Sequence, residues 1–106
     1  MEVLDISMYS FKEKILRSKG LVILSLYAKW YKPSKEQIDI LKEISKEFDS
    51  ISIYKIDYNS SKEIKDVLEI VSIPTLIFFK NGKEEFRITG SQTKKQIKLI
   101  ISALKD

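Results

Sequence analysis

The side chains that most often carry thiol, metal and acid–base chemistry are missing from this sequence. It contains no cysteine and no histidine. Their absence removes the thiolate nucleophile, the disulfide and the cysteine-based metal site. It also removes the commonest general base and the commonest transition-metal ligand. Hydroxyls, lysines and carboxylates remain. Tyr31 and Ser34 are two of those hydroxyls, on either side of Lys32 and Pro33. A Ser34 nucleophile activated by Lys32 or Lys35 is one chemistry this spacing allows. A serine bonded within the first turn of a helix is the plainer one. Asp57, Glu63 and Asp66 are the candidate ligands for a hard cation. They fall in no ligand-spacing motif, and such sites need several converging oxygens. No metal and no cofactor are expected.

The elements around these residues follow from pattern. Ser7 to Arg17 carries Phe11, Ile15 and Leu16 at helical spacing, with Gly20 as a stop. Leu21 to Tyr27 is a nearly unbroken apolar run, the pattern of a strand covered on both faces. Pro33 to Phe48 predicts a helix, with Pro33 in its first turn and Ile38, Leu41, Ile44 and Phe48 as its inner stripe. Ile51 to Asp57 predicts a strand rich in β-branched residues. Ser60-Ser61-Lys62-Glu63 reads as a capping box opening a short helix with Ile64, Val67 and Leu68. Thr75 to Lys80 predicts another strand, and Asn81-Gly82 a two-residue hairpin. The return strand runs through Phe86, Arg87 and Ile88 to Gly90. Thr93-Lys94-Lys95-Gln96 is a second capping box, and its helix carries Ile97, Ile100, Ile101 and Leu104. With a weak strand at the start, the order is β–α–β–α–β–α–β–β–α. It predicts an α/β sheet that begins parallel and ends in an antiparallel hairpin.

Composition sets the frame. A chain of 106 residues is the size of one domain, here 1–106, and 43% hydrophobic with 32% charged residues reads as globular. No apolar run approaches the ~20 residues a membrane helix needs. Met1-Glu2-Val3-Leu4-Asp5 has no apolar signal core, so a cytoplasmic location is expected. The net charge of +4, from 19 basic and 15 acidic residues, is mild and interspersed. Neither nucleic acid nor membrane is expected as a partner. Lys94, Lys95 and Lys98 read as the wet face of the last helix.

Leu24-Ser25-Leu26-Tyr27-Ala28-Lys29-Trp30-Tyr31-Lys32-Pro33-Ser34 resembles the active-site strand and loop of the thioredoxin family, which usually reads Trp-Cys-Gly-Pro-Cys. Ile73-Pro74-Thr75 resembles its cis-proline loop, Phe79-Lys80-Asn81-Gly82-Lys83 its hairpin, and Gly90 the glycine bordering its substrate groove. Lys55 and Asp57 fit the strand after the second helix. The likeness runs nearly the whole chain in order, and both prolines, Pro33 and Pro74, fall at family positions. The resemblance implies a thioredoxin fold, a central mixed β-sheet flanked by helices on both faces, with a cis Ile73–Pro74 bond.

The departures bear on function. Tyr31 and Ser34 stand where the cysteines would be, and disulfide exchange needs a thiolate to attack and a thiol to resolve. Ser25 replaces the family's buried aspartate, and Asp39 a helix-kinking proline. Tyr31, Lys32 and Ser25 together read as natural divergence rather than as an engineered trap. Trp30 is either an edge-packed aromatic or a partner contact. Tyr31 either fills the vacated position or adds an interface ring. Lys32 reads as a solvated cation. The leading expectation is a redox-inactive module that binds a protein or peptide in a groove of Trp30, Tyr31, Lys32, Pro33, Tyr58, Ile73, Pro74 and Gly90. Two other readings stand beside it. One is a glutathione-binding, transferase-like activity using the Tyr31 or Ser34 hydroxyl. The other is an oxidoreductase assigned by likeness alone.

Overall fold

The computed structural model describes residues 3–60 and 62–105. Met1, Glu2 and Ser61, the second residue of the expected Ser60–Glu63 capping box, lie outside the described residues. The elements run β1 (Val3–Asp5), α1 (Met8–Phe11) with a π-helical continuation (Lys12–Leu16), β2 (Leu21–Tyr27), α2 (Lys32–Glu47) and β3 (Ser52–Asp57). They continue with α3 (Lys62–Val67), β4 (Thr75–Lys80), β5 (Lys83–Thr89) and α4 (Lys94–Leu104). One five-stranded sheet has the order β1-β3-β2-β4-β5. β1 and β2 both pair parallel with β3, while β4 is antiparallel to β2 and to β5.

The apolar run of β2 explains its central place, because all seven of its residues are buried. Alternation along the strand sends Leu21, Ile23 and Tyr27 to one face, where Ile38, Leu41 and Ile44 of α2 and Ile97 and Ile101 of α4 cover them. Val22, Leu24 and Leu26 face the other side, against Phe11, Ile15, Ile64 and Leu68. The expected mixed sheet with helices on both faces is the observed one.

Several details differ from the sequence pattern. The first helix passes into a π-turn after Phe11, with the Arg17 N–H donating to the Lys12 carbonyl at 3.1 Å. Ile15 stays fully buried in this path, but Leu16 turns outward to 42% exposure. Val67, expected inside, is 59% exposed. α2 stops at Glu47, and Phe48 becomes its extended cap. The Thr93–Gln96 box forms as expected: Thr93 N–H donates to Gln96 Oε1 at 2.8 Å, and Gln96 N–H to Thr93 Oγ1 at 3.1 Å.

The hairpin turn is fastened to the end of the π-turn. Asn81 (φ 52°) and Gly82 (φ +82°) both have the positive φ of a tight hairpin. Asn81 Oδ1 accepts from Gly20 N–H at 2.8 Å, and Asn81 N–H donates to the Gly20 carbonyl at 3.0 Å. A Cβ on Gly82 would lie 2.2 Å from the Leu16 carbonyl oxygen, a backbone atom. On Gly20 (φ +78°), a Cβ would meet nothing within 4 Å.

Across the α2–α4 seam, Lys94 Nζ lies 2.5 Å from one Glu47 oxygen and Lys98 Nζ 2.8 Å from the other, with Glu43 at 3.5 Å from Lys94. Lys94 and Lys98, expected to be solvated, therefore join two helices. Hydrogen bonds from Lys94 and Lys98 lower the Glu47 carboxyl from its ordinary range to about 2.

Two outcomes follow. Gly82→Ala should cost ~2 kcal/mol or more, from left-handed strain plus a backbone clash, whereas Gly20→Ala should cost only the ~1 kcal/mol of strain. Equal losses in urea melts would contradict the fastening. A carboxyl lowered by folding stabilises above its unfolded value and loses that effect as pH falls through its folded value. Glu47→Gln should therefore be less stable than the parent at pH 7, with the gap closing between the ordinary 4.5 and about 2. A gap unchanged at the acid end would rule out the carboxylate charge as its cause.

Candidate functional site

The carboxyl end of β2, the end of β3, the start of β4 and the end of β5 meet at one end of the sheet. Tyr27 is in register with Asp57, Leu26 with Thr75, and Thr75 with Thr89. The loop after Tyr27, Tyr58, the Ile73–Pro74 bond and Gly90 therefore gather there.

The β2–α2 loop is held by the chain's own hydroxyl chemistry. The Tyr31 N–H donates back to the Ala28 carbonyl at 3.1 Å, closing a turn. Ser34 lies in the first turn of α2 and is fully buried. Its Oγ accepts from the Ala28 N–H at 3.1 Å and lies 3.0 Å and 2.8 Å from the Ala28 and Tyr31 carbonyls. The single hydroxyl proton is committed to those two oxygens. Lys32 and Lys35 are exposed, and among the described residues neither bonds to Ser34. The structure thus separates the parts a Ser34–lysine nucleophile would need.

Trp30 is 71% exposed, its ring 5.6 Å from the half-buried Tyr31 ring and tilted by 53°. Lys32 is exposed and Pro33 half-buried at the start of α2. The Ile73–Pro74 bond is cis. Pro74 is buried and its carbonyl accepts from the Gly90 N–H at 2.8 Å. Gly90 itself is exposed at φ +87°, and nothing lies within 4 Å of where its Cβ would be. Tyr58 sits differently from its neighbours. Its ring packs against the α1–α3 core, with Lys65 Nζ 4.5 Å from the ring centroid.

Three residues not singled out from the sequence complete the arrangement. Gln37 is buried on the inner face of α2. Its Oε1 accepts from the Gln92 N–H at 2.7 Å and its Nε2 donates to the Gln92 carbonyl at 3.1 Å, pinning the segment after Gly90. Arg87 on β5 donates through Nη1 to the Leu68 carbonyl at 2.6 Å and to the Glu69 carbonyl at 3.3 Å. Its other donors grip Glu84 at 2.7 and 2.8 Å. Arg87 thereby holds the stretch leading to Ile73, where Glu69 takes φ 53°. Val71, in that stretch, is 85% exposed.

Ser25 is fully buried on β2, and among the described residues its Oγ has no partner. No group of three or more carboxylates able to hold a metal occurs among the described residues. Asp57 instead accepts from the Asn59 N–H at 2.9 Å.

The two buried serines should respond to truncation with opposite signs. Ser25→Ala removes an unpaired buried hydroxyl and should be neutral or stabilising by ~1 kcal/mol. Ser34→Ala orphans the Ala28 N–H and should cost ~1–3 kcal/mol. Chemical denaturation reads both, and losses of the same sign and size would contradict the assignment.

Comparison with known proteins agrees with this geometry. The family model described as Thioredoxin matches residues 2–103. A thioredoxin of Chlamydia trachomatis serovar D is 34% identical over 97 residues, 92% of this chain and 93% of that protein. A thioredoxin of Rickettsia typhi is 36% identical over 89 residues, 83% and 85% of the two chains. The solved structure of a point-mutant thioredoxin from Halobacterium salinarum superposes with a TM-score of 0.90 at 19% identity, over 99% of this chain and 92% of that one. The fold, the order of its elements and these relatives together show that the chain belongs to the thioredoxin family.

Proposed function

We propose that this chain is a thioredoxin-family member that binds an extended protein segment and carries out no thiol–disulfide exchange. The observation that carries the reading is the fate of the two cysteine positions. One holds Tyr31, which forms no redox couple. The other holds Ser34, whose hydroxyl is consumed in fastening the loop. Without a sulfhydryl there is no nucleophile to attack a disulfide and nothing to resolve a mixed one.

Support for binding comes from the non-thiol parts. Trp30 offers a large exposed ring, of the type enriched at binding hot spots. Among the described residues, neither the N–H nor the C=O of Ile73 has a hydrogen-bond partner. An extended segment lying beside Pro74 would pair with both, as a strand added to an edge does. Gly90 leaves open space on the far side.

Reduced, carboxymethylated α-lactalbumin serves as an unfolded probe without free thiols. Titrated into the labelled chain, it should move the amide resonances of Trp30, Tyr31, Ile73 and Gly90 first. Trp30→Ala should weaken that binding by ~10-fold or more, as loss of a central aromatic anchor does. Silence at those amides, or an unchanged affinity in Trp30→Ala, would overturn the groove.

A further inference from the structure

On the α2 side of the sheet, away from Tyr58 and Ile73, a second feature is unused by the groove. β1, β3 and β2 end there in a polar cluster. The Tyr27 hydroxyl donates to Asp5 Oδ1 at 2.9 Å, and Lys55 Nζ lies 3.5 Å from Asp5 Oδ2 and 5.3 Å from the Tyr27 ring centroid. Burial first, and Asp5 second, push the Tyr27 phenol well above its ordinary value, so it stays a donor. Asp5 is thus satisfied from two sides.

Two adjoining cavities of about 270 and about 470 Å³ open over this cluster and share Asp5, Lys42 and Lys55. Lys29 and Lys35 line the smaller and Lys46 the larger. Lys35, Lys42 and Lys46 fall on one stripe of α2, and Lys29 reaches in from the loop before it. Among the described residues these four lysines make no ion pair. The acids of the walls are Asp5, already engaged, and Asp39 on α2, with Asp57 beside Tyr27.

We propose that this cleft is a binding site for a small molecule bearing two or more linked phosphate groups. In each lobe the lysines outnumber the acids, and the ammonium group is a strong point-charge partner for phosphate oxygens. Unpaired amines stand in both lobes, with Lys42 common to the two, which suits a chain of phosphoryl groups better than a single one. The volumes match a small ligand rather than a polypeptide. Val3, Leu4 and Ile38 line the walls and supply apolar surface for the uncharged part of such a molecule. The cleft runs between the edge strand β1 and α2, so both lobes open to solvent along one side of the sheet. This site does not depend on the peptide groove.

Tripolyphosphate and orthophosphate, titrated separately into the labelled full chain at low ionic strength, test the inference. Saturable shifts are expected at Asp5, Lys29, Lys42 and Lys55, with Trp30, Ile73 and Gly90 unmoved, and tripolyphosphate should bind the tighter. Lys42→Glu should weaken tripolyphosphate by about tenfold without changing Tm, since Lys42 is exposed and unpaired. Lys83→Glu, the same charge change on the far sheet edge, should leave affinity unchanged. Equal weakening by both variants would mean attraction to net charge only, and would overturn the site. So would the absence of saturable shifts, or shifts spread equally over the Lys94–Lys98 face.

Discussion

A strand with no exposed face has to leave the sheet without stranding its backbone, and β2 does so through one side chain. All of β2 is buried, and so is Ala28, the residue that follows it. A buried N–H left unpaired there would cost as much as a lost hydrogen bond or more. Ser34, one turn into α2, supplies the acceptor at 3.1 Å and returns its proton to the loop's carbonyls. The same bond network fixes how α2 starts and where Trp30 is carried into solvent. In redox-active members of the family a thiol occupies this position. Here an oxygen occupies it and fastens the loop.

The rest of the site is built the same way, from rigid elements behind it. Gln37 reaches from α2 to the backbone at Gln92, Arg87 reaches from β5 to the carbonyls of Leu68 and Glu69, and Gly90 donates to Pro74. Each strap runs to main chain, so it constrains the path of a loop and not merely the pose of one side chain. Loops held in this way are preorganised, which would lower the ordering cost of the binding proposed above. The orphaned Ser25 hydroxyl is the counterexample. It is buried beneath the site and serves no strap, which fits a position where the family's carboxylate has lost its thiol.

The sheet and its covering helices were legible because their periods are unmistakable. β2 is a nearly unbroken apolar run, α2 repeats its apolar residues at helical spacing, and Asn81-Gly82 marks its own turn. The π-turn after Phe11 was not legible, since the buried Phe11 before it and Ile15 within it have ordinary α-helical spacing. The capping box at Ser7 and Ser10, where each serine accepts from the other's N–H, went unread because serine stands where Glu or Gln is the usual sign. The positions of Trp30, Tyr31, Ser34, Ile73, Pro74 and Gly90 were legible through family spacing. What Ser34 does with its proton was not. Gln37 left a faint signal, an amide beside an apolar stripe. Arg87 left none, because the carbonyls it holds are 18 and 19 residues away.

The absence of sulfur chemistry is tested most directly by insulin reduction. The purified chain, supplied with dithiothreitol, should precipitate insulin no faster than the dithiothreitol alone. The Tyr31→Cys/Ser34→Cys double variant serves as the comparison that reports on the scaffold. Concentration-dependent acceleration by the parent chain, free of any contaminating thiol protein, would contradict the account.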